Sequence, residues 1–182
     1  MKGEIQNGLE FLQAPEEPLY LPTYDGCFVC GQNHPRGLRI RFFTGPEGGV
    51  FAWFTPDDLL TGYERVVHGG VISALLDELT GWTVSLKNGL MAFTAELSVR
   101  FSAPVLAGSR YLAAARLVGG RGRCWEAEGS IRDSEGRVCA KARGRYFLLS
   151  PEQTDGVAAK MRYQPGDVRA FAHPGKDGAA VV

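Results

Sequence analysis

HGGVISALLDELTGWTVSLKNGLMAFTAELSVRF, residues 68–101, holds two apolar patterns of different period back to back. In the first half, Val71, Leu75, Leu79 and Trp82 fall on one side of a helix, with Ile72, Leu76 and Thr83 beside them. Apolar positions cover most of the circumference, which predicts a buried helix rather than a surface one. A narrow polar stripe of Ser73, Asp77 and Thr80 runs through it, and Asn88-Gly89 supplies a stop. The second half alternates. Met91, Phe93, Ala95, Leu97, Val99 and Phe101 stand against Ala92, Thr94, Glu96, Ser98, Arg100 and Ser102. That period of two predicts a strand with the first set on a core and the second in water.

Working outward, Leu38, Ile40 and Phe42 alternate with Arg39 and Arg41, TGPEGG (44–49) supplies turn residues, and Val50 to Thr55 completes a predicted hairpin. Beyond Pro104, strands are predicted at Arg110–Val118, Cys124–Arg132 and Arg137–Leu149, separated by GGRGR (119–123) and Asp133–Gly136. Residues 1–24, with Pro15, Pro18 and Pro22, read as an irregular N-terminal extension. Residues 25–150 form the domain, and 151–182 a Gly-, Pro- and Ala-rich tail with one short helix near Val157–Arg162. The order is two strands, one long helix, then a meander: an α+β domain whose antiparallel sheet wraps one buried helix.

The bulk numbers agree with one soluble domain. Of 182 residues, 45% are hydrophobic and 22% charged, enough for a core without disulfides or a structural metal. Lys plus Arg and Asp plus Glu both number 20, without the basic excess of a nucleic-acid binder. No apolar run reaches the roughly 18 residues of a membrane span. The N-terminal stretch MKGEIQNGLE lacks the apolar core of a secretory signal. The expectation is a cytoplasmic protein with no nucleic-acid or membrane partner. Its four cysteines, 27, 30, 124 and 139, are then free thiols. Cys27, Cys30 and His34 have the look of metal ligands, but a closed zinc site needs four and no second pair follows, so no metal is expected.

Three stretches resemble the hotdog-fold thioesterase superfamily, in particular its phenylacetic-acid-degradation and 4-hydroxybenzoyl-CoA thioesterase-like group. They are CFVCGQNHPRGLRIRFF (27–43), GYERVVHGGVISALLDELTGW (62–82) and FTAELSVRFSAPVLAG (93–108). The resemblance covers about 25–149 and implies a hotdog fold and hydrolysis of acyl-CoA or another acyl thioester. It implies a homodimer or dimer of dimers with the active site at the subunit interface. No cofactor is implied beyond the coenzyme A of the substrate. On this likeness Gly69 gives a backbone N–H to the thioester carbonyl, and Asp77, nine positions after His68, is nucleophile or general base. His68 opens the site, and Gly70, Ser73 and Thr94 are candidate substrate contacts.

Elementary chemistry agrees with the first two roles. A helix N-terminus offers unpaired N–H groups to a developing oxyanion, and glycine lets substrate come close. An Asp in an apolar helix is costly unless paired or used. Each residue also has a plainer reading. Gly69-Gly70 eases the turn into the helix, Asp77 bonds across a dimer interface, His68 pins the loop, and Thr94 packs beside the helix. Glu78 lies off the polar stripe and reads as solvated or paired, Arg121 and Arg123 as a solvated hairpin turn. Two positions depart from the family pattern. Gly62 stands where many relatives carry Asn or Gln, and Gly81 where some carry Ser or Thr. The rival functions are therefore an acyl-CoA-binding domain without catalysis and, behind it, a hydratase.

Overall fold

The computed structural model describes residues 12–45 and 48–171. The expectations for residues 1–11, 46–47 and 172–182, which include the middle of TGPEGG and the two extreme ends, lie outside the described residues.

The long helix α1 spans Gly69–Asn88 and stops where Gly89 takes a left-handed conformation, φ 62°. It lies across β3 (Val50–Phe54), β6 (Ala92–Phe101), β7 (Tyr111–Arg121), β8 (Cys124–Arg132) and β9 (Val138–Leu148). These strands, with β1 (Leu19–Tyr20) and β2 (Phe42–Thr44), form one antiparallel sheet in the order β1-β2-β3-β7-β8-β9-β6. A small hairpin, β4 (Thr61–Tyr63) and β5 (Val66–Val67), delivers the chain to the start of α1. The core is the seam between helix and sheet: Leu75, Leu76 and Leu79 are fully buried against a face that carries Ala113, Ala115, Ile131 and Ala140. Small residues on that face let the helix close in. A Cβ on Gly129 would come 3.1 Å from the Thr80 methyl. The α+β hotdog architecture thus follows from one helix that has only one sheet face to bury itself in.

The outer face carries an ion-pair ladder, Arg116–Glu128, Arg143–Glu126 and Arg145 with both Glu96 and Glu126. It is not wholly polar, because Phe43, Phe51 and Ala114 are buried there with Leu12 and Ala14 against them. The first and last described stretches meet on the domain. Leu21 and Ala170 are fully buried, Thr23 bridges Arg162, and the Val168 N–H donates to the Tyr20 carbonyl over 2.8 Å. The short helix of the tail, α2, is Pro151–Ala158, starting earlier than predicted because Ser150 and Gln153 form a capping box. No helix among the described residues is long and apolar enough to cross a membrane.

Two strand readings need correction. Leu38–Arg41 is not a strand: Arg39 has φ 55°, and the Leu38 and Ile40 N–H groups donate to the Phe28 and Val29 carbonyls instead of to a sheet. In β6 the register against β9 shifts between Thr94 and Glu96. This bulge reverses the facing of the first residues. Leu97 and Val99 pack on the core as predicted, but Phe93 turns outward, 51% exposed, and Thr94 turns in toward α1.

Leu79→Ala leaves a void between α1 and the sheet with no exposed route to collapse. We expect a loss of about 3 kcal/mol in urea unfolding, within the usual range for fully buried leucines.

Candidate active site

His68 is the N-cap of α1, in extended conformation, and its Nδ1 accepts the Gly70 N–H at 2.9 Å. The acceptor at Nδ1 places the ring proton of the neutral imidazole on Nε2. The His68 carbonyl accepts from the Val71 and Ile72 N–H groups. That leaves the Gly69 N–H as the first-turn donor without an acceptor among the described residues. It borders a cavity of about 540 Å³ whose walls include Gly62, Tyr63, His68, Phe101 and Pro104. A helix N-terminus with a free N–H at the rim of a cavity is suited to hold a carbonyl oxygen as it gains negative charge.

Asp77 lies two turns further along α1. Its Oδ1 accepts from Thr94 Oγ1 at 2.8 Å and from Tyr146 Oη at 3.2 Å. Tyr146 Oη also lies 2.5 Å from Thr80 Oγ1 and 3.1 Å from the Asp77 carbonyl. Burial pushes the Tyr146 phenol well above its ordinary range, so it stays protonated and a donor. Asp77 Oδ2 has no partner among the described residues, and Asp77 lines a second cavity, of about 260 Å³. One carboxylate oxygen is therefore fixed by two hydroxyls and the other is available.

Thr94 thus comes to Asp77, while Ser73 does not: its hydroxyl donates to the Gly69 carbonyl one turn back. Gly70 is engaged with the His68 ring, and a Cβ there would sit 3.0 Å from Nδ1. Gly62 is crowded by its neighbour, whereas Gly81 has room for a side chain. A Cβ at 62 would meet His68 Cδ2 at 3.0 Å, and one at 81 would meet the Tyr146 ring at 3.5 Å. Arg123 spends its guanidinium on the Leu148 carbonyl. The participation of Tyr146 was invisible in the sequence, since it lies 69 residues from Asp77 in the strand VCAKARGRYFL, next to Phe147.

Beside Asp77 the fold assembles a further cluster. Cys27 Sγ lies 2.8 Å from Glu78 Oε2, and Cys27, Cys30 and Glu78 present donor atoms all within 4.8 Å of one another. Glu78 is thus paired, as one of its two readings had it. His34 is elsewhere, its Nδ1 accepting the Arg36 N–H and its ring edge-on to Phe28. Burial, then the Cys27 sulfur, pushes the Glu78 carboxyl up to about 8. Hydrogen bonding from Cys30, opposed by burial and aided by Glu78, holds the Cys27 thiol down to about 5.

Residues 64–140 match the family described as the thioesterase superfamily. The matched stretch holds α1 and the strands β6, β7 and β8 packed against it. An uncharacterized protein of Schizosaccharomyces pombe is 34% identical over 110 residues, 58% of this chain and 62% of that protein. A crystal structure of a thioesterase-superfamily protein superposes with a TM-score of 0.62 at 27% identity, covering 68% of this chain and 60% of the other. A Bacillus halodurans protein solved with CoA superposes at 0.50 with 26% identity, covering 54% and 70%. The chain spans about three fifths of the length of the first two.

The cap geometry gives a direct check on His68. His68→Ala removes the acceptor of the Gly70 N–H and should cost about 1 kcal/mol in urea unfolding, whereas His68→Asn, a good N-cap, should recover most of it.

Proposed function

We propose that this thioesterase-superfamily domain hydrolyses acyl-CoA or a related acyl thioester, with Asp77 and the Gly69 N–H as its catalytic groups. The observation that carries the reading is Asp77 itself, one oxygen held by Thr94 and Tyr146 and the other free at a cavity. In the general-base form, Asp77 takes a proton from water. The hydroxide adds to the thioester carbonyl, and the Gly69 N–H holds the resulting oxyanion. Collapse breaks the C–S bond, and Asp77 returns the proton to the leaving sulfur, releasing the acid and the thiol. In the nucleophilic form, Asp77 attacks first and water opens the mixed anhydride. CoA bound to the Bacillus halodurans relative supports CoA as the thiol carrier.

The two groups belong to different ends of α1. Eight residues at a rise of about 1.5 Å put them roughly 12 Å apart, too far for one carbonyl, and they border different cavities. A two-fold partner resolves this. Strand β6 ends the sheet with a free edge ten residues long, which natural proteins rarely leave open. Along it, Thr94 marks the Asp77 end of α1, and Phe101 marks the Gly69 end, 3.4 Å from where a Gly69 Cβ would be. Antiparallel pairing of β6 with its copy, centred on Ser98 and with the bulge before Glu96 counted, sets Thr94 beside the partner's Phe101. The partner's Asp77 then moves toward this chain's Gly69. The reading is accordingly a homodimer, alone or within a dimer of dimers, whose active sites lie between chains.

Thiol release, followed over short, medium, long and aromatic acyl-CoAs, is the deciding assay. Asp77→Ala and Asp77→Asn should each lose most activity, by roughly 100-fold or more, with unfolding unchanged to within about 1 kcal/mol. Wild-type protein that binds acyl-CoA tightly and releases no thiol from any of them would instead establish the binding domain that Gly62 and Gly81 hint at.

Subunit mixing tests the shared site. Gly69→Pro removes the N–H at the first helical position, where proline is tolerated. Co-refolded with Asp77→Ala, half the dimers pair unlike chains and one of their two sites has both groups, so about a quarter of wild-type activity should return. Confirmed mixing with no recovery would mean a site within one chain.

A further inference from the structure

The Cys27–Cys30 turn and Glu78 form a compact donor set that the thioester chemistry above does not use. Cys27 Sγ accepts two backbone N–H groups, from Val29 at 3.2 Å and Cys30 at 3.1 Å. Such N–H···S bonds favour sulfur as thiolate, the form that ligates metal. The turn closes with the Gly31 N–H on the Cys27 carbonyl at 3.0 Å. A Cβ at Gly31 would stand 2.5 Å from that oxygen and 2.7 Å from the Asp25 carbonyl, so the tight loop requires glycine. Its effect is to bring both sulfurs to the side of α1 where Glu78 reaches out, 51 residues away in sequence.

We infer that Cys27, Cys30 and Glu78 bind a thiolate-preferring divalent cation of the zinc type, with its fourth position open to the cavity that Asp77 lines. The geometry fits. Zn–S and Zn–O bonds of about 2.3 and 2.0–2.2 Å in a tetrahedron separate ligand atoms by roughly 3.5–3.8 Å. The three donor atoms already lie within 4.8 Å of one another, so small side-chain rotations complete the set. The electrostatics fit as well. Cys30 is 2% exposed, and no ion pair reaches Glu78 among the described residues. A cation in their midst supplies the positive charge that three acidic donors there lack.

Three protein ligands leave one position for water or a ligand atom from the cavity, the arrangement of open rather than closed zinc sites. The set departs from the expectation of no metal for a specific reason. Among the donors of 27–34 the sequence offers His34 as the third ligand, whereas the fold sends His34 to Phe28 and brings Glu78 from the helix. The inference does not depend on the chain being a thioesterase.

Cobalt titration tests it. Reduced full-length protein, stripped with chelator, is titrated with Co²⁺ and then challenged with Zn²⁺. We expect one Co²⁺ per chain, thiolate-to-cobalt charge-transfer absorption, visible bands of four-coordinate cobalt, and displacement of both by Zn²⁺. Cys27→Ser and Cys30→Ser should each lower the charge-transfer intensity by about half, one thiolate of two being lost. Glu78→Gln should keep that intensity while weakening binding roughly tenfold or more, and His34→Ala should bind as wild type. Circular dichroism reports whether each variant is folded, and Glu78→Asp, which keeps a carboxylate, should bind more tightly than Glu78→Gln. Three results would overturn the inference. One is the absence of stoichiometric cobalt binding by reduced wild-type protein. Another is binding that survives Glu78→Gln unchanged but is lost in His34→Ala. The third is a Cys27–Cys30 disulfide in the purified chain with no metal uptake after its reduction.

Discussion

Drawing a carboxyl group out of water costs free energy unless hydrogen bonds or charge compensate it, and α1 carries two that are half-buried, Asp77 and Glu78, on adjacent residues. Leu75, Leu76 and Leu79 around them are fully buried, so the helix cannot roll both acids into water without exposing its leucines. Adjacent helix positions differ by about 100°, which sends the two side chains in different directions. Each needs its own partners. Asp77 finds Thr94 of β6 and Tyr146 of β9. Glu78 finds the Cys27–Cys30 turn. Both then line one cavity, because a helix carrying two acids cannot be sealed flush against the sheet at that point.

Several local oddities follow from that pair. Had β6 kept a regular pleat from Ala92 to Phe101, Thr94 would face outward with Glu96 and Asp77 would lose a donor. The bulge between Thr94 and Glu96 turns Thr94 inward and leaves Phe93 exposed against Phe147. Likewise the positive φ of Arg39 and the bonds from Leu38 and Ile40 to Phe28 and Val29 fold the 27–41 segment back on itself instead of extending it into the sheet. That fold-back carries Cys27 to Glu78. In both places a regular element is interrupted, and the interruption supplies a partner to a half-buried acid.

Helix α1 and strands β7, β8 and β9 were legible because each is long, and its period is set by the single core between helix and sheet. The start of α1 was legible too, since His68 caps what the Gly-Gly pair opens. What failed was parity and partnership. A bulge adds one residue without any compositional mark, so alternation placed Leu97 correctly and Phe93 on the wrong face. The partners of Asp77 and Glu78 lie up to 69 residues away, and no local pattern distinguishes Tyr146 from any other aromatic in a strand. Among 27–34 the histidine stood out as a ligand type, yet tertiary packing selected a glutamate from the helix.

Gly62 and Gly81 are best understood through what stands beside them. At Gly62 the His68 ring stands where a side chain would go, 3.0 Å from an added Cβ, and the same ring holds the Gly70 N–H. The room that a longer residue at 62 would occupy is thus used to fix the helix N-terminus, leaving the Gly69 N–H free at the cavity. At Gly81 an added Cβ would stand 3.5 Å from the Tyr146 ring, an ordinary contact, so the approach of the phenol to Asp77 does not depend on the glycine. Two hydroxyls reach the acid from the sheet, those of Thr94 and Tyr146. Gly62 therefore makes room for the imidazole that caps the helix. The acid and the N–H that the proposed chemistry requires are each still positioned, by different residues.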